Sequence, residues 1–172
     1  MGLLGFGGRT IRELEKMDDG SMEGIIDFPL FNNEEIEIFI EKGVPLKYAK
    51  KCVVFLQKLP PSMIETLCEG ATKYCETCRK HFADEGLSIP ENISAREILQ
   101  YIQPGSLSIM YVPEDGSTLA FSLTLNCDWE QEHGMEWFVK GGKALYVGPF
   151  NGGIEHPYDD EDELRKMEDN YV

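Results

Sequence analysis

The order and spacing of apolar residues predict an α+β domain: an antiparallel sheet of about six strands, an N-terminal hairpin plus a C-terminal meander, with two long helices packed on it. Three observations carry this. The run Glu35-Ile36-Glu37-Ile38-Phe39-Ile40-Glu41 alternates with period two, as a strand with one buried face does. Between Pro45 and Phe82 the apolar residues recur at helical spacing instead. From Ser106 to Val147 the period returns to two, interrupted by turn residues.

Taken in order, residues 1–20 form a glycine-rich lead expected to be loosely ordered, with a short polar helix from Ile11 to Lys16. Gly5-Phe6-Gly7-Gly8 lacks the preceding strand and following lysine of a phosphate-binding loop. Residues 21–153 make the single α+β domain. Gly24 to Phe31 and Glu35 to Glu41 pair as a hairpin through Asn32-Asn33, which tolerates positive φ. Pro29 breaks the first strand or sends it to an edge. Pro45 opens a helix to about Leu59, with Leu46, Ala49, Cys52, Val53 and Leu56 on one face. Pro60-Pro61 ends it and starts a second, striped by Met63, Leu67, Ala71, Tyr74, Cys75, Cys78 and Phe82. A short third helix runs from Ala95 to Tyr101, and the meander follows: Ser106 to Val112, Thr118 to Asn126, Gly134 to Lys140 and Lys143 to Val147. Residues 154–172 form an acidic tail, expected to be a solvated charged end, in which Asp159 or Asp160 can cap a terminal helix carrying Leu164 and Met167.

The 172 residues suffice for one real core, and the net charge of −15 sets the surface character. Such a field repels nucleic acid and anionic membranes and attracts basic proteins or cations. No apolar run reaches the roughly 18 residues of a bilayer span. The opening residues make a poor signal peptide, and five cysteines, an odd number set mostly in apolar positions, fit free thiols in a reducing cytoplasm.

Two constellations could carry chemistry. Cys75, Cys78 and His81 have the C-x-x-C…H spacing of a redox pair or half a zinc site. They lie deep inside a helix rather than at its N-terminus, among apolar neighbours where a thiol is inert, so a structural role is favoured. The denser one is Cys127-Asp128-Trp129-Glu130-Gln131-Glu132-His133-Gly134-Met135-Glu136-Trp137. Continuing the strand alternation through it sends Cys127, Trp129, His133, Met135 and Trp137 inward. Asp128, Glu130, Glu132 and Glu136 then share the other face. These four carboxylates could receive Arg and Lys side chains of a protein partner. Alternatively Glu130, Glu132, His133 and Glu136 could hold a hard cation or perform acid–base chemistry. Cys127 with His133 is a conceivable nucleophile and base, if the fold brings them together. A plain polar hairpin whose tryptophans belong to the core is the remaining alternative.

At these residues the chain resembles an uncharacterised bacterial domain family with a C-x-W-E-x-E-H-G-x-E-W signature and a following strand ending in Tyr146-Val147-Gly148. Gly24 to Phe31 and Glu35 to Ile40 also resemble the W-x-G…F-P-L-F…V-E-I-x-I opening of small bacterial domains, with Met22 near the usual Trp. The likeness covers most of residues 22–150 and implies no established activity. Some small acidic proteins of this broad kind are immunity proteins that neutralise toxins, an analogy of class alone. The expectation is thus an acidic cytoplasmic domain that binds a basic protein without enzymatic chemistry or cofactor. The alternative is a metal-assisted or acid–base enzyme at residues 128–136.

Overall fold

A computed structural model of the chain describes residues 10–84, 86–151 and 160–172. Seven strands form one sheet in sequence order: β1 (Arg12–Lys16), β2 (Met22–Phe28), β3 (Glu34–Ile40), β4 (Ile102–Ile109), β5 (Ala120–Cys127), β6 (Glu130–Lys140) and β7 (Lys143–Pro149). All neighbours run antiparallel except β3 and β4, which are parallel. The exception follows from what lies between them. Helices α1 (Leu46–Gln57) and α2 (Pro61–His81) and a 3-10 turn (Ala95–Tyr101) carry the chain back before β4 begins, and such a crossover joins parallel strands. The sheet is therefore seven-stranded and mostly antiparallel rather than six-stranded and wholly so.

The additional strand is β1, where a polar helix was expected. It offers no apolar stripe to hold a helix, whereas Ile11 is buried, so close over β2 that a Cβ on Gly24 would lie 2.7 Å from its Cγ2. Arg12 bridges Asp27 at 2.7 Å and Glu35 at 3.0 Å. Residues 1–9, with Gly5-Phe6-Gly7-Gly8, lie outside the described residues.

Register explains the core. Gly24, Ile38, Leu107, Leu123, Trp137 and Val147 are cross-strand partners in one row from β2 to β7. Leu107, Leu123, Trp137 and Val147 are fully buried beneath Cys52, Val53, Leu56, Leu67, Ala71 and Cys75 of α1 and α2. Gly70 is where α2 presses hardest on β7: a Cβ there would meet Val147 at 2.9 Å. The next row, Ile25, Glu37, Ser106, Thr124, Glu136 and Gly148, faces the opposite way.

That second face is covered over β5–β7 by the tail, correcting the expectation of a solvated end. Asp160 caps α3 (Glu161–Lys166), accepting from the amides of Asp162 and Glu163. Leu164 is buried with Ala120, Phe138, Leu145 and Tyr146. The chain then runs along the outer edge of β7. The Tyr171 amide donates to Val147 O at 2.9 Å, and the Asn170 side-chain amide donates to Leu145 O at 2.8 Å while its oxygen accepts from Val147 N. Gly148 permits this, since a Cβ would strike Asp169 O at 2.1 Å. The tail segment from Glu155 to Asp159 lies outside the described residues.

Candidate functional site

The dense stretch forms the β5–β6 hairpin, and its residue types answer local demands one after another. Cys127 faces Glu130 across the turn, while Leu125 faces Met135, so residues 131–134 bulge out of the ladder. Gly134 sits in this bulge at φ 71, with the position of a missing Cβ only 2.6 Å from Leu125 O. No side chain fits there. Glu130 holds the bulge: its carboxylate accepts from the amides of Glu132 (2.9 Å) and His133 (3.2 Å) and contacts His133 Nδ1 at 2.7 Å. Trp129 is buried, edge-on to Tyr74 of α2 with ring centres 5.9 Å apart. The Tyr74 hydroxyl donates to Gly134 O at 3.4 Å, and its ring stacks on Tyr171. One α2 side chain thus ties together hairpin and tail.

The bulge breaks the parity on which the inward and outward sets depended. Cys127, Trp129, Met135 and Trp137 are buried as the alternation predicts. His133 is not; its side chain is 67% exposed. Glu136 is the opposite correction. It is 2% exposed on the tail-covered face, pairs with Thr124 and Gly148, and accepts from Asn151 N at 3.4 Å. Glu136 therefore does not share a surface with the turn carboxylates, because the extra residues of the bulge place them on different faces.

What the fold brings together is a concavity of about 410 Å³ lined by Asp128, Trp129, Glu130, Gln131, Glu132 and His133, opposite Phe82, Gly86 and Leu87 after α2. Asp128 accepts from the Gln103 side chain at 3.2 Å, and its amide donates to Tyr101 O. Phe82 is 44% exposed, an apolar wall beside the acids. Sequence periodicity gave Phe82 to the helix stripe and left Leu87 unremarked; only the fold sets them against the hairpin.

The cysteines fall elsewhere. Cys75 and Cys78 are buried free thiols on the core face of α2, and burial pushes both up to about 11. His81 is exposed, with Nδ1 2.9 Å from Thr77 O. Burial pushes the Cys127 thiol up to about 12, and its sulfur donates to Glu130 O, so it does not form a pair with the exposed His133. Among the described residues no three His, Cys, Asp or Glu side chains are grouped to hold a metal ion. No described helix is long and apolar enough to cross a membrane.

The fold and site define a mixed α+β domain with a mostly antiparallel seven-stranded sheet and an acidic hairpin concavity at one end of β5. The chain belongs to the family described as a domain of unknown function (DUF6985), whose model matches residues 10–154. No curated protein and no solved structure matches it.

Proposed function

We propose that this is a non-enzymatic protein-binding domain that engages a basic partner through the hairpin concavity. The supporting observation is the juxtaposition of exposed Asp128 and Glu132 with the apolar wall of Phe82 and Leu87. Carboxylates around an apolar pocket suit a Lys or Arg side chain, whose aliphatic stem and charged head need both surfaces. The charge of −15 adds long-range attraction for such a partner. Glu136 is not part of this surface. An immunity role against a basic toxin is the sharpest form of the reading. The resemblance of residues 127–137 to a bacterial domain family is an analogy of class in its favour, and five free buried thiols are compatible with a reducing cytoplasm.

The Glu130–His133 contact favours the acid–base alternative. The same carboxylate is spent on two backbone amides, which favours a structural use. The test is affinity capture from the native host at low and moderate salt with wild type and Asp128→Lys/Glu132→Lys. Recovery of a basic protein that is lost with the variant and weakened by salt is expected. An unchanged set of captured proteins would sink the proposal.

A further inference from the structure

At the far end of β5 the charge pattern reverses. Lys47, Lys50, Lys51 and Lys58 line a groove of about 830 Å³ with Leu46, Val54, Phe55, Ser117 and Leu119. The helix explains how they come together. Tyr48, Ala49, Cys52, Val53 and Leu56 turn the core face of α1 inward, and positions 47, 50, 51, 54 and 58 are left outside at three- and four-residue spacing. Leu46, Phe55 and Leu119 are partly buried against the core and give the groove an apolar floor, with Val54 42% exposed above it. The opposite wall is fixed: the Tyr48 hydroxyl donates to Thr118 O at 2.8 Å and accepts from Ala120 N at 2.9 Å.

Among the described residues none of the four lysines makes an ion pair, in a chain where 31 acids face 16 bases. The nearby Asp115 carboxylate is engaged by the amides of Ser117 and Thr118 and by the Thr118 hydroxyl. Like charges three and four residues apart on a helix cost stability. In a protein this acidic, a cationic stripe with no ion pair among the described residues, beside a half-buried apolar floor, is complementary to an anionic, partly apolar occupant.

We propose that the α1 groove docks an acidic amphipathic peptide segment of a partner protein, its carboxylates on the lysines and its apolar side chains on Leu46, Val54, Phe55 and Leu119. The stripe from Lys47 to Lys58 is roughly 16 Å long at 1.5 Å per residue, which matches about three turns of helix or five extended residues. The overall negative charge disfavours an anionic membrane or a nucleic acid, which would meet the whole field rather than the groove alone. This surface is separate from the acidic concavity. The two lie at opposite ends of β5, roughly 25 Å apart at 3.3 Å per residue.

The test is fluorescence anisotropy with a labelled 14-residue peptide of glutamates carrying leucines at helical spacing, and with polyglutamate of equal charge as comparator. The full chain should bind the amphipathic peptide at low salt and polyglutamate at least about tenfold more weakly. Lys50→Glu/Lys51→Glu should lose about tenfold or more in affinity and Val54→Ser several-fold, with unchanged circular dichroism. Amide shift changes should map to α1 and residues 117–119. Asp128→Lys/Glu132→Lys should bind the peptide as wild type does, so failure of the concavity proposal leaves this one standing. Equal binding of polyglutamate, insensitivity to Lys50→Glu/Lys51→Glu, or stronger binding to phosphatidylserine vesicles or an oligonucleotide would overturn it.

Discussion

Replacing Glu130 by alanine separates a structural carboxylate from a chemical one. In the fold this side chain is 15% exposed and accepts from Glu132 N, His133 N and the His133 ring. Hydrogen bonds to a charged acceptor contribute about 1.5–3 kcal/mol each when both partners are shielded. Here the released amides sit in an exposed bulge and water takes them over, so a loss of about 2 kcal/mol in total is expected. The His133 contact adds little, because that ring is 67% exposed. For a domain of this size about 2 kcal/mol lowers Tm by roughly 4–8 °C. His133→Ala, which removes only the ring contact, should stay within about 1 kcal/mol of wild type. Calorimetry or circular-dichroism melts at pH 7 measure both. If Glu130→Ala melts with wild type while His133→Ala falls well below it, the carboxylate does not hold the bulge and the reasoning fails.

Leu123→Ala and Trp137→Ala each delete a fully buried member of the central row and should cost about 3–5 kcal/mol in urea titrations; near-neutral values would refute the core assignment. Leu164→Ala should release the tail, visible as rapid protease cleavage after β7 in an otherwise folded protein, and a cleavage pattern like wild type would show that Leu164 does not pin it. The five cysteines should resist Ellman's reagent at pH 8 until the protein unfolds; a thiol that reacts at once in the native state contradicts its burial. Stability should also fall at alkaline pH. Below pH 9.0 the thiols are protonated in both states, whereas above it the unfolded thiols ionise while Cys75 and Cys127 keep their protons to about 11 and about 12. The unfolded state therefore gains between those limits. A flat denaturation midpoint from pH 9 to 11 would count against this.

The elements whose pattern was long and periodic were legible in the sequence. Helix α2 begins at Pro61 and carries its stripe to Cys78, and β3 alternates through Ile36, Ile38 and Ile40 as read. What was not legible depended on contacts distant in sequence. Strand β1 has no apolar alternation of its own; pairing with β2 and the Arg12 bridges decide its state. The terminal helix with Leu164 and an Asp160 cap could be read, but not that Leu164 is fully buried against the sheet, because its partners Ala120, Phe138, Leu145 and Tyr146 lie far off in sequence. At the site, parity placed the apolar residues on either side of the turn correctly but missed Glu136 and His133. A bulge of residues 131–134 leaves no period to read, although Gly134, a residue free to adopt positive φ, marked its position. The dense motif reads mainly as a folding instruction: Trp129, Glu130, Gly134 and Trp137 each meet a local requirement of the hairpin.

The way the sheet ends limits how this domain can recognise a partner. One common mode adds the partner's backbone as an extra strand, and it needs an open edge with free amides and carbonyls. At the middle of β7 the Leu145 carbonyl and the Val147 amide and carbonyl are already taken by Asn170 and the Tyr171 amide, and at the other side β1, among the described residues, runs for five residues interrupted by a shift in register. Main-chain zippering is thereby obstructed at the middle of β7 and, among the described residues, short along β1. Any partner of such a sheet would be selected mainly by side chains, on surfaces where a few substitutions could change its identity without altering the sheet.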